Sequence, residues 1–319
     1  MWGGLNSRGE VKPPRVVADR PNPLPQCPLY ASAPGDSAPC ATSAHAQVVP
    51  RSADDRAVSV LAVVPTYLRA ELDAELLLRC LVSLSATAPE AEVVVVDDAS
   101  PAAHLVEQLA PVCAELGHRL VLKSENTGFS RTVNTGLQLA LDGGHDALLV
   151  NQDIQFVQAG WPDAMLARTD AQSRPAAVVG AKLLYPSGEI QHAGVLYSRL
   201  YRWFDHRLRY APGDLPEANL PQRCPVTGAL QLIRHETLAT VGLYDEAFQM
   251  GHEDVDYCLR VFDAGLECIY EPAACALHHE SAIRGRLDRR VQEWELASAH
   301  TLLSKYAGRD HTAFSLSLA

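Results

Sequence analysis

Short runs of apolar residues alternate with amphipathic segments through the first half of the chain. Four of these runs predict buried strands, at residues 57–67, 91–100, 119–123 and 146–154. Apolar positions at helical spacing predict helices between them, at residues 71–86 and 102–116 and behind the polar loop that opens 124–141. Strands that are apolar on both faces and alternate with helices form parallel sheets covered on both sides. We therefore expect an α/β fold built on a mostly parallel sheet.

The second half of the chain is less regular. Its predicted elements are a strand, an aromatic and arginine-rich segment, a loop, a strand followed by a helix, a strand hairpin or extended pair, and a C-terminal helical region, at residues 176–185, 191–210, 212–225, 226–248, 266–281 and 284–306. The aromatic segment leaves two interpretations open. It either stacks on a ligand or forms a hydrophobic flap over the core.

Polar residues end three of the predicted strand segments, as PTY at 65–67, DDAS at 97–100 and NQD at 151–153. In parallel sheets, ligands bind outside the carboxyl ends of the strands, so these polar groups are expected to meet at one edge. No GxGxxG motif follows the first strand, which argues against a nicotinamide-dependent enzyme.

Residues 251–260, GHEDVDYCLR, place acidic residues at the predicted start of a helix. The apolar face that should bury this helix consists of Val255, Cys258, Leu259 and Phe262. Acids are common in first turns because the helix dipole favours them, and this is one explanation of the pattern. The other explanation is a carboxylate kept ionised at the mouth of a cleft, where it accepts a proton.

Composition narrows the class of protein. The 319 residues carry a formal net charge of −11, so we expect no nucleic-acid partner. None of the 8 cysteines forms a CxxC pair, which favours a reduced, cytoplasmic setting. No apolar run has the length of a membrane span or of a signal-peptide core. The basic residues 284–290 fit either peripheral contact with anionic lipid at the inner face of the membrane or a solvated helix face.

Three regions follow from these patterns. Residues 1–56 are rich in Pro, Ala and Ser without periodicity and are predicted to be a disordered extension. Residues 57–281 form the predicted α/β domain, and residues 282–319 form a C-terminal helical segment.

Six spaced segments resemble one known family: VVPTYLR, VVVVDDAS, ENTGFSRTVNTGL, LLVNQDI, TGALQLIRHETLATVGLYDEAF and GHEDVDYCLRV with the later HHES. Together, over roughly residues 58–281, they resemble the inverting family 2 glycosyltransferases of GT-A fold. The similarity is greatest to the bacterial branch of rhamnosyl- and galactofuranosyltransferases. The resemblance implies a GT-A-type sheet with a Rossmann-like nucleotide-binding half and an acceptor-binding half.

The resemblance also implies site residues. The nucleotide would be bound by Pro65, Thr66, Tyr67, Asp97, Asp98, Asn126, Gly128, Phe129 and Asn134. Donor sugar and acceptor would be lined by Gln152, Thr227, Gly228 and Ala229. Structural alternatives stay open: a strand-to-helix turn for 65–67, a turn-forming pair for Asp97 and Asp98, and an ordinary helix cap for Asn126.

A divalent cation, Mg²⁺ or Mn²⁺, is implied at the position of the family's D-x-D motif, where this chain has Asn151 and Asp153. Asp153 and His278 would be its protein ligands, with His279 as the alternative histidine. Asp254 matches the catalytic base and Glu253 an acceptor-binding residue. Asp256 is expected to be solvated or to cap the helix, and His252 to be structural.

The expected activity is metal-assisted transfer of a hexosyl or deoxyhexosyl group from a nucleotide-diphospho-sugar to a glycan or lipid-linked glycan, in bacterial surface or secondary glycan synthesis. Two alternatives differ in class. A nucleotidyltransferase would need a triphosphate-binding loop after the first strand, and PTYLRAE lacks its Gly and Lys/Arg pattern. A non-catalytic nucleotide- or glycan-binding module is favoured by Asn151 in place of an acid.

Overall fold

The computed structural model describes residues 59–170, 175–280 and 289–315. The predicted extension at 1–56 and the start of the C-terminal segment at 282–288 lie outside these residues. The helices are α1 (Glu71–Thr87), α2 (Ala103–Leu116), α3 (Phe129–Gly143), α4 (Trp161–Thr169), α5 (His235–Val241), α6 (Glu253–Asp263) and α7 (Arg289–Lys305). The strands are β1 (Val60–Thr66), β2 (Glu92–Asp97), β3 (Arg119–Leu122), β4 (Asp146–Val150), β5 (Ile154–Gln155), β6 (Val178–Leu184), β7 (Ile190–His192), β8 (Val195–Ser198), β9 (Trp203–His206), β10 (Gln222–Arg223), β11 (Leu230–Ile233) and β12 (Cys268–His278).

Ten of these strands form one sheet within the described residues. Its main order is β10-β12-β6-β11-β4-β1-β2-β3, with β5 beside β12 and β7 beside β6. The four strands of the first half pair in parallel, as their continuous apolar runs predicted. Strand β11 lies antiparallel between β4 and β6 and joins the two halves of the sheet.

Alternate residues of β1 reach the two layers of helices. Ala62 and Val64 belong to the cluster with α1 and α2, whereas Leu61 and Val63 belong to the cluster with α3. Helix α3 approaches β1 closely, because a methyl group at Gly136 would lie 2.1 Å from Val63 Cγ1. Both faces of the sheet are therefore covered here, which explains the continuous apolar runs of β1, β2 and β4.

The hairpin or extended pair predicted for residues 266–281 is wrong. The segment forms the single strand β12, whose pairing with β6 shifts register between Glu271 and Cys275. Pro272 lies in this irregular stretch, and prolines within strands occur at such bulges because they cannot donate a ladder hydrogen bond. Helix α4 was not predicted. It has only nine residues and is fixed by packing, with Trp161 stacked on Phe156 at 4.2 Å.

Two expectations from composition concern thiols and membranes. The cysteines of the described residues are free thiols and are buried. In the same part of the chain, no helix combines the length and the apolar character that crossing a membrane requires.

Helix α6 is tied to α7 by a buried carboxylate. Asp256 is 0 % exposed and lies 2.9 Å from Arg260 Nε and 2.7 Å from Lys305 Nζ. The Tyr306 hydroxyl also donates to it, at 2.9 Å. The expectation that Asp256 is solvated or caps the helix is therefore wrong. Its partners come from the next turn of α6 and from the end of α7, and they compensate its lost hydration.

We predict that Asp256→Asn lowers the free energy of unfolding by about 3 kcal/mol, because it removes the charge of the buried carboxylate that pairs with Arg260 and Lys305. The matched control is Asp263→Asn on the same helix. Asp263 pairs with Arg309 but is 54% exposed, so its loss should cost about 0.5 kcal/mol or less. Urea denaturation of both variants measures the difference. Equal losses of unfolding free energy in the two variants would contradict a stabilising role for the buried Asp256 carboxylate.

Candidate active site

A cavity of about 490 Å³ opens at the carboxyl ends of β1 and β4. It brings together most of the residues that the sequence predicted for the site. Those that line it are Pro65, Thr66, Tyr67, Asp98, Asn126, Gly128, Phe129, Gln152, Asp153, Thr227, Gly228, Ala229, Glu253, Asp254 and His278. Seven segments that are separate in sequence therefore meet in one cleft.

Asp98 shapes the side of the cleft predicted to bind the nucleotide. Its carboxylate accepts hydrogen bonds from Lys123 Nζ at 2.6 Å and from the backbone N–H groups of Thr127 and Gly128 at 3.0 Å each. Gly128 has a φ of +92°, and a side chain there would lie 2.8 Å from the Gln249 carbonyl oxygen. The loop before α3 is thus held close to the strand end by a buried charge.

Asp97 and Asn134 do not line the cleft. The Asp97 carboxylate accepts hydrogen bonds from the backbone N–H and the hydroxyl of Ser100. The Asn134 amide exchanges two hydrogen bonds of 2.9 Å with the backbone of Tyr244. Both side chains form hydrogen bonds within the protein, so we leave them out of the proposed nucleotide site. The turn-forming alternative for Asp97 describes its position.

Gln152 lines the cleft, but its side chain supports the strand end. Its Oε1 accepts from Tyr67 N–H at 2.8 Å, and its Nε2 donates to the Tyr67 carbonyl at 3.4 Å. The amide therefore pairs with Tyr67 as a neighbouring strand would. We assign it to holding the predicted nucleotide-binding residues 65–67.

Asp153 and His278 form a buried pair with Oδ1 and Nε2 3.3 Å apart. Burial acts to raise the pKa of Asp153, but the charge and hydrogen bond of His278 outweigh it, so the pKa lies below its ordinary value. Within the described residues, no group of three or more His, Cys, Asp or Glu side chains is arranged to hold a metal ion. A carboxylate and an imidazole can hold a hard cation whose other ligands are water or phosphate oxygens. The pair fits that role.

Among the described residues, two buried polar atoms at this position have no hydrogen-bond partner, Asn151 Oδ1 and His278 Nδ1. His279 is placed differently. Its Nε2 lies 3.1 Å from Gln155 Oε1, and it is not among the residues that line the cleft. His278 is therefore the better placed of the two histidines.

The opposite wall is the start of α6. His252 begins the helix with a φ of +68°, and its ring meets Trp203 edge to face. Asp254 Oδ2 accepts a hydrogen bond from Gly228 N–H at 3.0 Å, and its Oδ1 accepts from Val255 N–H at 2.7 Å. Glu253 is buried beside it at the cleft. Asp254 is thus oriented by two backbone amides at a position that a ligand can reach.

Sequence reasoning missed a polar group on the second half of the cleft, formed by Gln191, Asp205, His206, Arg209 and Glu280. Arg209 Nη2 lies 3.1 Å from Glu280 Oε2, and its Nε donates to the Tyr185 hydroxyl at 2.9 Å. The only signal in the sequence was the density of aromatic and basic residues at 191–210. Short antiparallel strands carry no periodicity that separates cleft positions from surface positions.

The architecture has solved counterparts. The GalNAc-T7 structure with UDP, GalNAc and Mn²⁺ matches at a TM-score of 0.57 and 18% identity, over 70% of this chain and 44% of that one. Mannosyltransferase PcManGT from Pyrobaculum calidifontis, in complex with GDP-Man and Mn²⁺, matches at a TM-score of 0.51 and 17% identity, over 79% and 66%. This is the GT-A glycosyltransferase fold. The expected fold class is confirmed.

The first half of the GT-A sheet also matches a family model, Glycosyl transferase family 2, at residues 61–143. Two relatives match part of the chain. Protein y4gI of Sinorhizobium fredii, described as uncharacterized, is 39% identical over 116 residues, which are 34% of this chain and 13% of that protein. O-antigen biosynthesis protein RfbC of Myxococcus xanthus is 35% identical over 112 residues, 33% of this chain and 9% of RfbC. This chain therefore matches only a small part of each relative's length.

We predict that Gly228→Ala disturbs the wall of this GT-A cleft. The added methyl group would lie 2.9 Å from the buried Tyr244 hydroxyl and 3.4 Å from Asp254 Cβ. The neighbouring groups must move to make room for the methyl group, which should lower the free energy of unfolding by about 1–3 kcal/mol. The same movement should shift the backbone amide resonance of residue 255. Urea denaturation and ¹H–¹⁵N spectra measure the two effects. An unchanged stability and spectrum would contradict the close approach of α6 to residue 228.

Proposed function

We propose that this chain transfers a sugar from a nucleotide-diphospho-sugar to an acceptor hydroxyl, with inversion at the anomeric carbon. One observation carries the proposal. The oriented carboxylate of Asp254 and the Asp153–His278 pair line the same cavity, beside the strand ends predicted to bind the nucleotide. A base and a phosphate-binding site on two walls of one cleft suit displacement at a carbon placed between them.

The donor would lie along the first half of the sheet. Pro65, Thr66, Tyr67 and Asp98 would contact the nucleoside, and the start of α3 at Gly128 and Phe129 would face the diphosphate. Both solved counterparts contain a nucleotide and Mn²⁺, which supports a donor of this class. A divalent cation, Mg²⁺ or Mn²⁺, held by Asp153 Oδ1 and His278 Nε2, would neutralise charge on the leaving diphosphate.

Asp254 would act as the general base. The acceptor hydroxyl gives its proton to the Asp254 carboxylate while its oxygen bonds to the anomeric carbon, and the bond from that carbon to the diphosphate oxygen breaks. Attack from the side opposite the leaving group inverts the configuration. The hydrogen bond from Gly228 N–H holds the carboxylate in place, and Glu253 would bind acceptor hydroxyls.

The finer assignments follow from the family resemblance. We propose a hexosyl or deoxyhexosyl donor of the rhamnosyl- or galactofuranosyl-type branch and a glycan or lipid-linked glycan acceptor, in bacterial cell-surface glycan synthesis at the cytoplasmic side of the membrane. The partial match to an O-antigen biosynthesis protein supports that setting.

A non-catalytic module that binds a nucleotide-sugar is the second candidate. One observation favours it: Asn151 lies at the position where a second carboxylate would strengthen metal binding. Such a module would bind nucleotides without turning over any donor. The nucleotidyltransferase alternative has no comparable support.

We predict that wild-type protein releases nucleoside diphosphate from at least one donor in a panel of UDP-, dTDP- and GDP-sugars with Mn²⁺ or Mg²⁺. Asp254→Asn should lower kcat by about 10²–10⁴-fold and leave donor affinity unchanged, because the amide keeps the shape but accepts no proton. Asp263→Asn, on the exposed face of the same helix, is the control. Full activity in Asp254→Asn would show that the base is another group.

We predict that Asp153→Asn and His278→Ala each weaken Mn²⁺ binding in the presence of UDP by about 10-fold or more, whereas His279→Ala does not. Electron paramagnetic resonance of Mn²⁺ measures the affinity directly, without turnover. If His279→Ala weakens binding and His278→Ala does not, the ligand is residue 279. Equal Mn²⁺ affinity in all variants would show that the cation does not bind to Asp153 and His278.

A further inference from the structure

Two histidines connect the cleft wall at Thr227 to the β8–β9 hairpin. His192 Nδ1 lies 2.9 Å from His206 Nδ1, and the two rings meet edge to face with centroids 5.0 Å apart. His192 is fully buried at the end of β7, whereas His206 ends β9, is half-buried and lines the cleft. The proposed mechanism uses neither ring.

The backbone decides where each ring carries its proton. His192 Nε2 lies 3.3 Å from Gly194 N–H and 3.4 Å from Thr227 N–H, and it accepts from both donors. His192 Nε2 is therefore unprotonated, and the neutral ring carries its hydrogen on Nδ1. That hydrogen points to His206 Nδ1, which accepts it. His206 then carries its own hydrogen on Nε2, the ring nitrogen left for a ligand.

Both rings are neutral near pH 7. Burial, reinforced by His206 and His278, lowers the pKa of His192 well below its ordinary value. Burial lowers the pKa of His206 to about 4. The negative charge of Asp254 opposes this shift, and the positive charge of Arg209 adds to it. The negative charges of Glu280 and Asp205 also act to raise the pKa of His206 and do not reverse the shift. A neutral N–H donor can bind a hydroxyl oxygen without requiring a negative charge.

We propose that His206 binds a hydroxyl oxygen of the acceptor sugar through Nε2–H, and that His192 is the positioning residue that fixes this tautomer. Trp203, three residues earlier on β9, also lines the cleft and offers the aromatic surface on which a sugar ring stacks. Asp254 lines the same cleft as His206, so the bound sugar would share the cavity with the proposed base. This inference rests on the proposed function and identifies its acceptor subsite.

Two substitutions of His206 distinguish the roles of its two ring nitrogens. The Asn side-chain amide occupies roughly the position of Nδ1, so His206→Asn keeps a partner for His192 and loses the donor toward the ligand. The Gln amide reaches roughly the position of Nε2, so His206→Gln keeps that donor. Both variants are polar and close in size, and urea denaturation verifies that each is folded.

The test uses long-range ¹H–¹⁵N spectra of the histidines at pH 7 and titration with methyl α-D-glucoside, methyl α-D-mannoside and methyl α-L-rhamnoside at saturating UDP and Mn²⁺. We expect the Nε2–H tautomer for His206, the Nδ1–H tautomer for His192, and binding of at least one glycoside. His206→Asn should raise the glycoside Kd by about 10-fold or more. His206→Gln should stay within about three-fold of wild type, and the Kd of UDP should stay unchanged in both variants.

The proposal is overturned by a cationic or Nδ1–H His206, by equal glycoside affinity in wild type and His206→Asn, or by the absence of glycoside binding to wild type. Failure of the proposed function has a different signature. It would appear as no diphosphate release from any donor in a protein whose histidine tautomers and glycoside binding are as expected.

Discussion

The hydrogen bond from Gly228 N–H to Asp254 is the contact on which the cleft depends. Gly228 lies just before β11, and β11 runs antiparallel to β4 with Leu230 opposite Val150. The start of β11 therefore lies beside the end of β4, where Asn151 N–H donates to the Ala229 carbonyl at 2.9 Å. The register between β11 and β4 thus sets the distance between the two walls of the cleft. One wall carries Asp254 and the other carries Asp153.

Helix α6 is held on two sides, and its acids divide accordingly. Residues two apart on a helix point about 200° apart, so Asp254 faces the cleft while Asp256 faces away from it. Asp256 is buried against Arg260 and Lys305. The same acidic sequence therefore supplies an accessible carboxylate and a structural ion pair, and the second stabilises the position of the first.

The parallel half of the fold follows from the sequence because its strands are apolar runs separated by amphipathic helices. The cleft residues at strand ends, such as Tyr67, Asp98 and Asp153, follow from the same logic. Three features do not. The burial of Asp256 depends on Lys305, 49 positions later. The Asn134 side chain is turned away from nucleotide binding by its two hydrogen bonds to the backbone of Tyr244. The His192–His206 pair joins short strands that have no periodic signal.

The central claim is that one cleft holds a nucleotide diphosphate and a cation on the side opposite Asp254. A crystal structure of the protein with UDP and Mn²⁺, with anomalous scattering to locate manganese, tests it most directly. We expect the metal bound to Asp153 Oδ1 and His278 Nε2, the diphosphate on the metal, and the uracil between Tyr67 and Asp98. Manganese bound away from residues 153 and 278, or a nucleotide outside this cleft, would contradict the account.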